Sequence, residues 1–280
     1  MNIITHAYCT DGMFELAKTF TESYFLFNWD TPLHLDTRGL TDDQLLQLSR
    51  LIHPKGQLTI SNRDIDYNEL SEKTGLNVPT LKRYKHEAET RFGLPANELD
   101  MNAKVWKLLH AGDARIKAMY TQLKQCDAVI QFDIDTLFRG NIGALKKVAT
   151  EYDFAAKLRL NSNQKMAISI GLVVYQNTNA ACKWIEKWIS IIDSMPPVQR
   201  PLGFGQISCY NAFKIYQNNL RYLDLIKNYP QFGIPWTNKP TDIIWTANTH
   251  GVPKCAYAQG FRAEIKKLKE RKKHDQNKTT

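Results

Sequence analysis

Several signatures are missing from this 280-residue sequence, and each absence removes a class of protein. Its five cysteines (Cys9, Cys126, Cys182, Cys209 and Cys255) are irregularly spaced, and no two form a Cys-x-x-Cys pair. An odd number so placed builds neither a disulfide framework nor a zinc site, so these are read as reduced, mostly buried thiols. Apolar runs such as Gly171–Tyr175 are short, against the roughly 18 residues that a membrane span requires. The opening MNIITHAYCTDGM lacks the basic n-region and long apolar stretch of an export signal, and the expected location is cytoplasmic. Internal repeats and low-complexity linkers are absent too. Acidic residues run short in one segment: residues 154–223 hold eight lysines and arginines against only Glu186 and Asp193.

What is present is a chain with 43% hydrophobic residues and net charge +9, enough for one sizeable α/β core. Asn2–Cys9 reads as a first strand feeding a loop, and Met13–Phe27 has helical spacing. Thr41 stands three residues before Gln44, a capping box that starts another helix, and Gly56–Ser61 reads as the next strand. Residues 62–100 are highly charged, an irregular or helical insertion outside the sheet. Helical segments at 102–112 and 114–126 lead into the apolar strand Ala128–Phe132. Tyr152–Leu158, Ile168–Gln176 and Arg221–Ile226 read as further strands, with an amphipathic helix over Ala180–Asp193. Alternating strand and helix patterns predict a mainly parallel sheet with helices on both faces, a single domain over 1–260. Residues 261–280 form a basic tail, either a patch for anionic lipid or nucleic acid or a frayed, solvated helix end.

The segment DAVIQFDIDTLFRGNI (127–142) carries the chemistry. Acids spaced two apart occur five times in the sequence, so context must choose among them. Asp64 and Asp66 repeat the triplet but sit in the charged insertion beside Arg63, a surface position. Asp133 and Asp135 close a buried strand at its carboxyl end, where open α/β sheets place their ligands. Two like charges that close repel, so one carboxyl stays protonated or a cation sits between them. A divalent metal bound by oxygen alone is Mn²⁺ or Mg²⁺ rather than zinc. The plain alternative is a pair of strand-end acids bonded to a neighbouring turn.

This segment resembles the D-x-D block of GT-A-fold glycosyltransferases, particularly the family-8 group that includes glycogenin and bacterial lipooligosaccharide galactosyltransferases. The resemblance implies a Rossmann-like GT-A domain that moves a sugar from a nucleotide-diphosphate donor, most simply a UDP-sugar, to a glycan, glycolipid or protein acceptor. It implies Asp133, Asp135 and His250 as metal ligands. Arg115, or Lys117 as a competing match, would contact donor sugar or phosphate. In NTHGVPK, Gly251 and Lys254 would meet the diphosphate. The backbone of Thr5, His6 and Ala7 and the ring of Tyr8 would hold the base, with the main chain of Ile134 near the ribose. Tyr8 reads equally as an ordinary core aromatic.

On the acceptor side the resemblance places Ser169, where the family has Asn, and Gly171. Gln206 would face the sugar, or else be a helix-start amide satisfied locally; Gly205 stands where the family has Asp. An inverting transferase needs a carboxylate base beside the acceptor hydroxyl, and residues 154–185 and 194–223 contain neither Asp nor Glu; retention is the expectation. The basic residues of the loops KLRLNSNQK (Lys157, Arg159 and Lys165), before the Gly171 strand, and PPVQRPLGFG (Arg200), before Gln206, point to an anionic acceptor, with solubilising charge as the plain reading. Two other functions compete. A nucleotidyltransferase that makes nucleotide sugars shares the metal and diphosphate, but THAYCTDGM has one glycine and no Lys or Arg where such enzymes carry a Gly-rich basic loop. A nucleic-acid-binding protein would use the positive charge, but no nucleic-acid motif appears and no nucleic-acid partner is expected.

Overall fold

The computed structural model describes all residues except 91–112, 161–166, 197–198, 201–203, 233–238, 240, 247–253 and 279–280. The elements run β1 (Ile3–Thr10), α1 (Phe14–Phe27), β2 (Leu33–Arg38), α2 (Asp42–Ser49), β3 (Leu58–Arg63), α3 (Tyr67–Thr74), α4 (Val78–Thr90), α5 (Asp113–Leu123), β4 (Ala128–Asp133), β5 (Thr136–Phe138), α6 (Gly143–Glu151), β6 (Phe154–Leu158), β7 (Ile168–Gln176), α7 (Asn179–Asp193), α8 (Phe204–Tyr216), β8 (Tyr222–Asp224), α9 (Leu225–Asn228), β9 (Ile244–Thr246) and α10 (Lys254–Lys278). Seven strands form one sheet in the order β3-β2-β1-β4-β7-β6-β8, and β5 pairs with β9 in a second, two-stranded sheet. Pairings among β3, β2, β1 and β4 are parallel, as is β6 with β8; β7 runs antiparallel to both of its neighbours. The expected α/β fold with a mainly parallel sheet is therefore the one observed.

Both faces of the sheet are covered. On one, Phe20 and Tyr24 of α1 meet Phe138 edge to face, Phe20 also meets Phe132, and α6 adds Leu145 and Val148. On the other, Ile116, Met119 and Leu123 of α5 and Trp184, Ile185 and Trp188 of α7 bury Val129, Val173 and Tyr175. Strands buried on both faces need the near-continuous apolar runs seen in AVIQF and GLVVY.

The Thr41 capping box forms as the sequence predicts, with Gln44 N donating to Thr41 Oγ1 and Thr41 N donating to Gln44 Oε1. The charged insertion begins later than expected, since Asn62 and Arg63 still pair with β2 as the end of β3, and beyond them it forms the helices α3 and α4. Asp66 caps α3 by accepting from the backbone N–H of Asn68 and Glu69, which explains the second Asp-Ile-Asp triplet without a ligand. Lys85 of α4 pairs with Asp11 at 2.5 Å, tying the insertion to the carboxyl end of β1. The expected segment at 102–112 lies outside the described residues.

The basic C-terminal stretch belongs to the 25-residue helix α10. Its Ala258, Phe261 and Ile265 pack on Leu16 and Leu137, while Arg262 and Lys269 pair with Glu15 and Glu22 of α1. Among the described residues, no helix is long and apolar enough to cross a membrane.

Candidate active site

The site is built where β1, β4 and β7 lie side by side. Side chains alternate along a strand, and the in-register pairs His6–His34, Tyr8–Asp36, His6–Gln131 and Tyr8–Asp133 put six polar residues on one face of the sheet. Tyr8 stands between Asp36 and Asp133. Asp133 ends β4, and its side chain keeps 30% of its exposure. Asp135 is 2% exposed and lies in the turn between β4 and β5, followed at once by the pairs Thr136–Thr246 and Phe138–Ile244. Strand alternation therefore aims Asp133, whereas Asp135, expected to close the same strand, lies beyond its end and is aimed by the tight β4–β5 turn.

Arg115 of α5 reaches across to this strand end. One of its terminal nitrogens pairs with Asp133 Oδ1 and the other donates to the carbonyl of Ile170 in β7. The opposite carboxylate oxygen lies over Gly171: a Cβ there would meet Asp133 Oδ2 at 2.7 Å. The carboxylate is thus clamped between a guanidinium and a strand with no side chain beneath it. Lys117, the competing match, faces away, and its Nζ pairs with Asp193 at 2.7 Å on an exposed surface.

Other nominated residues are placed as follows. Thr5 and Ala7 point to the α1 side, where the Tyr24 hydroxyl donates to Thr5 Oγ1 at 2.9 Å and Ala7 joins the core. His6 and Tyr8 point to the site face. His6 is fully buried with its ring stacked on His34, centroids 5.9 Å apart, and neither ring nitrogen has a hydrogen-bond partner among the described residues. Burial, with lesser contributions from His34 and Arg115, lowers its pKa to about 3, so it is neutral. Burial likewise raises the pKa of Tyr8, and that of Asp36. Ile134 is buried in the β4–β5 turn. Ser169 pairs with Lys157 across β7 and β6, and Gln206 sits half-buried in the first turn of α8. Among the described residues, no hydrogen bond joins Gln206 to either aspartate. His250 and Gly251 lie outside the described residues; Lys254 begins α10, its side chain undescribed.

Sequence reading passed over three buried polar residues near this strand end, His34, Asp36 and Asp242. His34 and Asp36 were missed because β2, a short strand of mixed polarity, was not anticipated. Lys157, expected among the basic residues of a loop before the Gly171 strand, is instead 5% exposed within β6, the single lysine of a strand otherwise wholly apolar. Asp242, also buried, accepts from Lys239 N at 3.0 Å and lies within electrostatic reach of Lys157. Of the nominated basic residues, Arg200 is buried, its Nε donating to Met195 O at 2.8 Å, and Lys165 lies outside the described residues.

Asp133 and Asp135 suit a hard divalent cation, since both are oxygen donors at a strand end and the glycine cradle beside Asp133 leaves room at its second oxygen. Among the described residues no three His, Cys, Asp or Glu side chains stand close enough to hold a metal ion. The two aspartates alone would make up only part of a ligand set.

No family model matches this sequence, and no curated protein does. Solved structures resemble the fold. A glycosyltransferase, GlyE, from Streptococcus pneumoniae TIGR4 aligns with TM-score 0.52 and 11% identity over 97% of this chain and 64% of that one. A galactosyltransferase, LgtC, solved in complex with donor and acceptor sugar analogs, aligns with TM-score 0.51 and 13% identity over 95% of this chain and 96% of that one. The chain thus spans less than two thirds of the pneumococcal protein but nearly all of the galactosyltransferase. The chain has the GT-A-type fold of these glycosyltransferases.

Proposed function

We propose that the protein is a glycosyltransferase that uses Mn²⁺ or Mg²⁺ to move a sugar from a nucleotide-diphosphate donor, a UDP-sugar, to a glycan, glycolipid or protein acceptor. One observation carries the reading. At the carboxyl end of the central strand, where open α/β sheets bind ligands, Asp133 is clamped by Arg115 over a glycine that leaves its second oxygen clear. A purely structural ion pair needs no such bare strand beside it. The metal, when bound, offsets the negative charge that develops on the departing diphosphate. Asp133 and Asp135 would hold it, with His250 as third ligand.

The chain's own residues do the positioning. Arg115, fixed at two points, holds Asp133 in one orientation and presents positive charge to the donor. Tyr8, aligned with Asp133 across the sheet, offers a ring to the base, with the main chain of Ile134 near the ribose. Lys254 would add a cation at the diphosphate beside Gly251. Ser169, Gly171 and Gln206 would line the acceptor side. Residues 154–185 and 194–223, which would supply the acceptor side, contain no Asp or Glu to act as base, and this favours retention of configuration. The basic residues of that segment favour an anionic acceptor, and the exposed lysines of α10 favour contact with an anionic membrane surface over nucleic acid.

The test is a panel of nucleotide sugars assayed for metal-dependent hydrolysis and for nucleotide binding by calorimetry. A UDP-sugar turned over only with Mn²⁺ or Mg²⁺ supports the reading. Formation of a nucleotide sugar from a nucleoside triphosphate and a sugar phosphate would replace it with the nucleotidyltransferase.

A further inference from the structure

Lys157 is the one lysine of β6, whose residues are all buried. Removing an ammonium from water costs several kcal/mol unless a partner compensates it. Compensation here is incomplete. Asp133 and Asp242 face Lys157 electrostatically, but among the described residues neither forms a hydrogen bond or ion pair with it. Each is already engaged, Asp133 by Arg115 and Asp242 by the backbone of Lys239. Burial and the neighbouring Arg159 charge together outweigh the two carboxylates and bring the Lys157 pKa down to about 8.

The backbone brings this side chain to its place deliberately. The β6–β7 register shifts between Ala156 and Lys157, putting Lys157 opposite Ser169, two residues from the Gly171 that underlies Asp133. Such bulges re-aim side chains beside active sites. A lysine serving only the fold would sit in contact with an acceptor, whereas this one lies on the face of Asp133 with neither nearby carboxylate bonded to it among the described residues.

We infer that Lys157 is a substrate-binding residue of the cleft, whose ammonium takes an anionic oxygen of the bound substrate, either the donor diphosphate or an acidic group on the acceptor. The inference rests on the transferase reading. It also explains why the lysine is kept at a cost in stability, since functional sites hold groups that the fold alone would exclude.

The experiment compares the wild type with Lys157→Met and Lys157→Gln by thermal melting and by titration with UDP and with uridine in the presence of Mn²⁺. A second arm follows glucuronate and glucose binding to the UDP complex by ligand-observed NMR. Both variants should melt at or above the wild-type temperature, because a buried charge has been replaced by a neutral chain. UDP affinity falling by about tenfold or more, with uridine unchanged, identifies the diphosphate. Loss of glucuronate binding alone, with glucose and UDP unchanged, identifies an acidic acceptor group. Unchanged binding of UDP and glucuronate overturns the assignment, and so does a lowered melting temperature in both variants, which would show the ammonium serving the fold. Wild-type protein that binds no UDP overturns the transferase reading and this inference with it.

Discussion

Replacing Gly171 with alanine tests the clamp at its tightest point. The new Cβ would stand 2.7 Å from Asp133 Oδ2 and 3.5 Å from its Cγ. The first distance is shorter than real Cβ contacts allow, so the carboxylate or the strand must move by several tenths of an ångström. Asp133 cannot simply rotate away, because Arg115 holds its other oxygen while also bonding the Ile170 carbonyl next to the glycine. Overpacking of this kind costs about 1–3 kcal/mol, which for a chain of this size lowers Tm by roughly 2–5 °C. Calorimetry should show weaker Mn²⁺-dependent UDP binding, since the displaced carboxylate no longer presents the same oxygen. Adding Arg115→Met frees Asp133 to turn, so the double variant should recover part of the Gly171→Ala loss, with a coupling of about 0.5–3 kcal/mol in the double-mutant cycle. A Gly171→Ala protein with wild-type Tm and wild-type UDP affinity would refute the clamp.

Four further outcomes are expected. Asp133→Ala and Asp135→Ala each abolish turnover and Mn²⁺-dependent nucleotide binding with the fold intact by circular dichroism; full activity in either would remove that residue from the site. Asp66→Ala leaves turnover unchanged and costs about 1 kcal/mol in urea unfolding, the value of a helix N-cap; an inactive but stable variant would show that the wrong aspartate pair was chosen. His250→Ala weakens the Mn²⁺ dependence of activity, and an unchanged Mn²⁺ titration would exclude it as a ligand. His6 has a folded pKa of about 3 against an ordinary 6.5, so the unfolded chain binds the extra proton between those values. Its contribution to stability is intact above pH 6.5 and is lost as pH falls, by about 1.4 kcal/mol per unit. His6→Phe should therefore flatten the acid side of the stability profile, and an unaltered slope between pH 4 and 6 would refute this.

Local pattern alone was enough for much of the architecture. The apolar runs of β1, β4 and β7, the helical spacing of α1 and α7 and the Thr41–Gln44 capping box are decided by neighbours within a few residues, and all appear where the sequence puts them. The surface placement of Asp64 and Asp66 was also legible, since the charged sequence around them leaves both exposed, whereas Asp133 and Asp135 follow a buried strand. The structure adds that Asp66 is a helix cap, a role set by its backbone neighbours.

What lay beyond the sequence depends on chain crossings that no local window contains. β2 is six residues of mixed polarity, and only its place between β1 and β3 buries His34 and Asp36 beside His6 and Tyr8. Arg115 and Lys117 differ by two residues on one helix, which turns them to different directions; packing of α5 against the sheet, not their spacing, sends Arg115 to Asp133 and Lys117 to Asp193. Gly171 and Asp133 meet because β7 runs antiparallel to β4, and Lys157 and Asp242 meet through segments far apart in the chain. Periodicity tells which residues leave water. Which charges then face one another is decided by strand order, because a burial pattern carries no record of the partner on the other side.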